Sequence, residues 1–230
     1  MYNSNGNFLR TVQESNRYGV SFRHITSFDT NTIAVSTCRC ISIVNIDTHE
    51  LLHKIKNGRL CYGITHSDGK LYCCSGKEGI RRFDLRTKSN QLLVPTTNIR
   101  EFLYIFCDGN NLFYTSITET VSCCDMNGKQ IWRFKDTSLL RSPRGVVVYN
   151  ESFVFVADVK SGNILVISPD GISSKEVDQM SSPIAMCYDK NKNENTYVSH
   201  RRQSILIPNI CRLIDPAQIC TSHKPESWYK

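Results

Sequence analysis

No stretch of this 230-residue chain approaches the ~18 consecutive apolar residues that a membrane-spanning helix requires, and its start, MYNSNGNFLR, is polar where a secretory leader would be apolar. A cytoplasmic location with no membrane partner is therefore expected. Helical periodicity is missing, and no heptad run suggests a coiled coil or any other oligomerisation device. Compact catalytic signatures are missing too. There is no G-x-S-x-G elbow, and Gly76-Lys77-Glu78-Gly79 reads as a turn rather than a nucleotide cradle. The six histidines are spread along the chain and are not expected to hold a metal. The expectation is a protein without catalytic machinery, metal or other cofactor.

Cysteine is plentiful, eleven in all, yet no C-x-x-C pair exists, and Cys38-x-Cys40 is one residue short of a zinc-knuckle spacing. Cys73, Cys74, Cys123 and Cys124 fall in apolar alternating runs, where free cysteine behaves as a small buried hydrophobe, so reduced thiols are expected. Acidic residues are the minority, 21 Asp and Glu against 28 Lys and Arg, for a net charge of +7. That bias is compatible with nucleic acid or an acidic partner. An apolar fraction of 40% and a mean hydropathy of -0.31 suit a soluble globular protein.

What the chain does have is an internal repeat. Short strands followed by polar turns recur as IVNIDTHELL, RRFDLRTKSNQLL, SCCDMNGKQIW and LVISPDGISSKEV. With Ile46, Phe83, Cys124, Ile167 and Ile207 taken as equivalent, the spacings are 37, 41, 43 and 40 residues. A second run, TIAVST, KLYCCS, NLFYTS, FVFVAD or NTYVSH, precedes each of these. Ahead of that comes a small apolar segment with an Asp, Asn or Gly turn. Each unit thus predicts four short strands, a to d, the pattern of a propeller blade covered on both faces by its neighbours. The units fall at about 19–57, 58–98, 99–140, 141–180 and 181–208.

The fold class expected is all-β, a β-propeller over residues 1–208 with an irregular tail over 209–230. YNSNGNFLRTV matches CDMNGKQIWRF, so residues 1–12 read as an outer strand. The expectation is four complete blades and a fifth split between the termini, closed by residues 7–12 pairing with 204–208. The alternative is an open fragment of a six-bladed ring, which would be a non-functional truncated product.

The fourth unit, SPRGVVV then FVFVAD then NILVISPDG, resembles an NHL repeat through Pro143, Gly145, Ala157, Asp158, Ile164, Ser168, Asp170 and Gly171. The second unit keeps Gly63-Ile64, the third lacks the Pro-x-Gly, and the fifth keeps Ser182-Pro183 with Ile184 in the place of the glycine. The chain is similar to the C-terminal propeller of B-box and tripartite-motif proteins. In that family a RING domain carries ubiquitin-ligase activity, and the propeller selects a protein substrate or RNA. The resemblance implies a non-catalytic module that recruits a protein partner or ubiquitination substrate. RNA recognition is the first alternative, and a lactonase-like propeller hydrolase a further one.

In a propeller the b-to-c turns and d-to-a connections lie on one face, and the a-to-b and c-to-d turns on the other. The first face collects Arg39, Lys56, Arg59, Lys77, Arg100, Arg141, Arg144, Lys160, Arg201 and Arg202, with few acids, mainly Glu78, Glu119 and Asp136. The second collects Asp29, Asp68, Asp84, Asp108, Asp125 and Asp170 among others. Tight hairpin turns demand Asp and Asn, which accounts for the acidic side without any function. The basic side is the candidate surface for a protein partner or RNA, with Tyr62 and Tyr104 near its rim as stacking surface. Asp158 is expected to cap the turn that follows it.

Overall fold

The computed structural model describes residues 23–37, 40–56, 60–76, 78–96, 102–149, 152–179, 182–189, 194–199 and 204–207. Among these residues the chain is strands and turns, with no α-helix. The first sheet is β1 (His24–Ser27), β2 (Thr32–Ser36), β3 (Cys40–Asn45) and β4 (Leu51–Lys56). The second is β5 (Ile64–Ser67), β6 (Lys70–Ser75), β7 (Gly79–Asp84) and β8 (Asn90–Pro95). The third is β9 (Phe102–Cys107), β10 (Asn111–Ser116), β11 (Thr120–Asp125) and β12 (Gln130–Lys135). The fourth is β13 (Pro143–Tyr149), β14 (Phe153–Asp158), β15 (Asn163–Ile167) and β16 (Ser174–Gln179). A fifth, three-stranded sheet holds β17 (Pro183–Asp189), β18 (Glu194–Ser199) and β19 (Ser204–Ile207).

Every sheet is an antiparallel meander whose strands neighbour one another in chain order. The first strands of the sheets pack in succession, β1 on β5, β5 on β9, β9 on β13 and β13 on β17. This is a β-propeller with four complete four-stranded blades and a three-stranded fifth sheet. The expected pairing of residues 7–12 with 204–208 lies outside the described residues. No helix among the described residues is long and apolar enough to cross a membrane.

Burial follows from stacking blades face to face. The two middle strands of blade 4, FVFVAD and NILVI, are buried along their whole length, because a neighbour covers each face of the sheet. Separate apolar clusters fill the spaces between consecutive blades. Ala34, Ile41 and Ile43 meet Ile64, Leu71 and Phe83 between blades 1 and 2, and Tyr72, Ile80 and Leu93 meet Ile105, Leu112 and Tyr114 between blades 2 and 3. Phe113, Val121 and Trp132 meet Val146, Val154, Val156 and Leu165 between blades 3 and 4. Phe155, Ile164 and Val166 of blade 4 pack towards Met186 of the fifth sheet. Each fully buried aliphatic side chain of this kind contributes about 2 kcal/mol. Trp132, placed by its sequence on an outer strand between blades, is buried there and donates its Nε1–H to the Pro169 carbonyl of blade 4 at 2.9 Å. Its ring lies against Gly171, at φ 72°, where a side chain would collide with the indole.

One expectation about the thiols is corrected. Cys61 and Cys73 are joined as a disulfide between the lead-in to blade 2 and its second strand. The two sit on neighbouring backbone in the sheet, a proximity that their spacing along the chain does not reveal. Cys40, Cys74, Cys107, Cys123 and Cys124 are free, as expected, with Cys74, Cys123 and Cys124 buried.

Strand register corrects two alignments. Val44 pairs with Ile33 as Phe83 pairs with Leu71, Cys124 with Leu112 and Ile167 with Val154, so Val44, not Ile46, is the first-unit equivalent. Pro143 faces Asp158 as Pro183 faces Ser199, which puts Ala185, not Ile184, at the position of Gly145. The reason is steric. A Cβ on Gly145 would stand 2.9 Å from the Cα of Ala185 and from the backbone N of Met186, so the inner strands of blades 4 and 5 approach backbone to backbone and need small residues there. Gly145→Val is expected to lower stability by about 2–3 kcal/mol, an overpacking cost, and the thermal midpoint by roughly 5–10 °C. A midpoint equal to wild type in a circular-dichroism melt would contradict this packing.

Candidate functional site

The acidic second face is built by its turns. Asp29 accepts from the backbone N–H groups of Asn31 and Thr32, both at 2.7 Å, and Asp108 from those of Asn110 and Asn111, both at 2.8 Å. Between third and fourth strands, Asn45, Asp84 and Asp125 do the same for the N–H groups two to four residues on. These backbone donors hold Asp29 and Asp84 below the usual carboxylate range. Asp68 and Gly69 form a two-residue hairpin with φ of 48° and 68°, the mirror-image turn that Asp-Gly suits. These acids are therefore engaged in local architecture.

On the first face, four of the ten candidate cations lie within the described residues. Lys56 ends the outer strand of blade 1, Arg141 is in the connection into blade 4, Arg144 is on β13, and Lys160 is in the turn between β14 and β15. Arg39, Arg59, Lys77, Arg100, Arg201 and Arg202 lie outside the described residues. Arg141 and Lys160 are brought together by buried Asp158. One of its oxygens accepts from the N–H groups of Arg141 and Ser142 at 2.8 and 2.6 Å, the other from those of Lys160 and Ser161 at 3.0 and 2.9 Å. Asp158 thus caps its own turn, as expected, and also ties down the connection from the preceding blade. Ser161 Oγ and Asn163 Nδ2 add bonds to the Leu139 carbonyl across the same junction. Lys56 ends β4, the outer strand of blade 1, and Arg141 and Lys160 belong to the entry and second turn of blade 4.

The same register that corrected the alignment identifies a second group, at the centre of the face. Ile25, Ile64, Ile105, Val146 and Met186 pair with equivalent positions of the second strands. One residue before them come His24, Gly63, Tyr104, Gly145 and Ala185, and two before come Arg23, Tyr62, Leu103, Arg144 and Ile184. Blades 1 and 3 therefore carry rings where blades 2 and 4 carry glycine. With no side chain on Gly63, the His24 and Tyr104 rings meet edge to face across blade 2, with centroids 5.6 Å apart. The Arg23 guanidinium lies 5.5 Å from the Tyr62 ring centre. Hydroxyls at matching positions lock the two lead-ins to the preceding blades: Ser36 Oγ donates to the Tyr62 carbonyl at 2.8 Å, and Thr115 Oγ1 to the Arg144 carbonyl at 2.9 Å. Burial raises the Tyr104 pKa, and the charges of Arg144 and Arg23 oppose the rise, so both guanidiniums are close to its phenol.

Tyr62, Tyr104 and Arg144 were legible as rim residues; Arg23 and His24 were not. Their signal lies only in the repeat alignment of Arg23-His24-Ile25 with Arg144-Gly145-Val146, which the absence of Pro and Gly hides. The stretch His49-Glu50-Leu51-Leu52-His53 departs from the expectation of scattered histidines, since it has the H-E-x-x-H spacing of helical zinc sites. Here it crosses a turn, with His49 at φ 61°, and runs into β4, so the helical geometry that would juxtapose the imidazoles is missing. Among the described residues no three His, Cys, Asp or Glu side chains are grouped as a metal site.

No protein-family profile matches the chain, and no curated protein matches it. The fold defines the class: a β-propeller repeat protein.

Two outcomes test the geometry. Asp158→Asn replaces a carboxylate that satisfies four N–H groups, and is expected to cost about 3 kcal/mol, read as a fall in the urea midpoint. Burial lowers the His24 pKa from 6.5 to about 4, and accepting from the Ile64 N–H at 3.4 Å requires the same neutral ring. Because the folded pKa lies below the unfolded one, the unfolded chain takes up the proton first. Stability is full above pH 6.5 and declines as pH falls towards 4, by up to about 3 kcal/mol. His24→Gln should shrink that decline, leaving the part that comes from His66, whose pKa burial also lowers, and equal pH profiles for variant and wild type would refute it.

Proposed function

We propose that the chain is an NHL-like propeller that acts as a non-catalytic binding module and holds a protein partner on its basic face. In this reading it plays the part of the substrate-selecting propeller of tripartite-motif ubiquitin ligases, whose ligase chemistry belongs to the RING domain. The observation that carries the reading is the contrast between the two faces. On the second face Asp29, Asp84, Asp108, Asp125 and Asp170 accept from turn N–H groups, and Asp68 pairs with Lys70 at 3.5 Å. On the first face Glu78 is paired with Arg81 at 2.8 Å, while Arg23, Arg141, Arg144 and Lys160 form no ion pair among the described residues. Cations without local partners, held on a rigid scaffold, are what a partner's acidic groups require. RNA is the second reading, favoured by the guanidinium over the Tyr62 ring, an arrangement that also suits an unstacked base.

A photocrosslinking residue placed at position 160 on the basic face, and separately at position 86 on the acidic face, tests both. A protein crosslink from position 160 that withstands ribonuclease, with none from position 86, is the expected result. A crosslink abolished by ribonuclease replaces the protein reading with the RNA one, and a crosslink from position 86 alone overturns both.

A further inference from the structure

The centre of the basic face is more specific than a positive surface. Arg23 precedes the inner strand of blade 1, Tyr62 precedes that of blade 2, Tyr104 lies on that of blade 3 and Arg144 on that of blade 4. Four blades thus contribute one group each to one place, two guanidiniums and two phenol rings. Among the described residues neither guanidinium forms an ion pair. Two like charges beside one half-buried phenol, neither paired with an anion among the described residues, are an arrangement that a bound anion relieves.

The groups are also fixed before any ligand arrives. Ser36 Oγ holds the backbone at Tyr62, Thr115 Oγ1 holds it at Arg144, the Tyr62 ring lies under Arg23, and the His24 edge sets Tyr104. The neutral His24, accepting at Nδ1, keeps its remaining ring N–H as one more donor. Fixed donors lower the ordering cost of binding.

We propose that Arg23 and Arg144, with Tyr62 and Tyr104 beside them, form a docking site for a single acidic side chain, Asp or Glu, on an extended segment of the protein partner. This rests on the basic-face reading and gives it a ligand chemistry. A carboxylate presents two oxygens, which two guanidinium forks can grip from opposite sides, while the phenol rings pack on the neighbouring peptide. A nucleic-acid strand presents phosphates at regular intervals and is matched by a track of cations. The described centre offers two cations at one point instead, bounded by rings and by the small residues Gly63 and Gly145.

The test uses the full chain and a fluorescein-labelled hexaglutamate peptide, with binding read by fluorescence anisotropy. Wild type is expected to bind saturably. Arg23→Ala and Arg144→Ala should each weaken binding about tenfold, and Arg144→Lys, which keeps the charge without the fork, should recover only part of that loss. Arg133→Ala removes the same charge from exposed β12 and should change nothing. Arg23 is exposed at the start of the first blade, so its variant reports on binding even if a substitution on β13 disturbs folding. Equal weakening by Arg133→Ala would reduce the effect to general electrostatics and overturn the site. So would a labelled oligouridylate that binds more tightly than the peptide and loses affinity in the same two variants. If the variants bind as wild type while the crosslink at position 160 persists, the docking site falls and the basic-face reading stands; loss of both removes both.

Discussion

A sheet of four short strands that is apolar on both faces exposes its core to water unless something covers each side. In this chain the cover is the next sheet, and the rest of the structure depends on that requirement. It explains why the second and third strands of blade 4 are buried residue after residue instead of alternating. It also explains why the apolar residues described divide into separate clusters between consecutive blades. Outer strands escape it: β12 alternates, with Trp132 and Phe134 inward and Ile131, Arg133 and Lys135 outward.

Stacking sheets around a centre crowds the inner strands most, and the crowding selects residues by size at one position of each blade. Gly145 and Ala185 meet almost backbone to backbone where blades 4 and 5 converge. The same position holds His24 in blade 1 and Tyr104 in blade 3, with Gly63 between them in blade 2. Glycine there does two things: it admits the neighbouring backbone, and it leaves room in front of its own blade for rings from either side. The grouping of Arg23, Tyr62, Tyr104 and Arg144 is a consequence. Residues far apart along the chain come together because adjacent positions at the head of each inner strand face the same centre.

The repeat was legible because its signals are local. Hairpin turns require Asp, Asn or Gly at fixed places, and doubly covered strands read as continuous apolar runs, so four strands per unit could be counted without any contact being known. Register was less legible where two residue types do one job. Asn45 and Asp84 cap equivalent turns with the same pair of backbone bonds, which makes Ile46 the counterpart of Leu85 and moves the true match for Phe83 back to Val44. The Cys61–Cys73 pair was hidden for a different reason. Its sulfurs meet because the lead-in to blade 2 runs beside β6, shown by the bonds between Tyr62, Gly63 and Cys74, and that pairing leaves no mark in composition or spacing. Arg23 and His24 were hidden because the first blade begins without the Pro-x-Gly that marks the fourth.

The separation of charge between the faces has two origins, and only one concerns binding. Carboxylates gather on the second face because the a-to-b and c-to-d hairpins are short and use Asx caps; Asp29, Asp84, Asp108 and Asp125 would be needed there in a propeller that bound nothing. The net charge of +7 is summed over the whole chain and assigns nothing to either face. Counting cations therefore says little. What distinguishes the centre of the basic face is placement: Arg23 lies over the Tyr62 ring, the backbone at Arg144 is clamped by Thr115, and neither guanidinium has a carboxylate partner among the described residues. A guanidinium held in place without its anion is half of a recognition pair, and two of them at one point set the size and charge of what completes it.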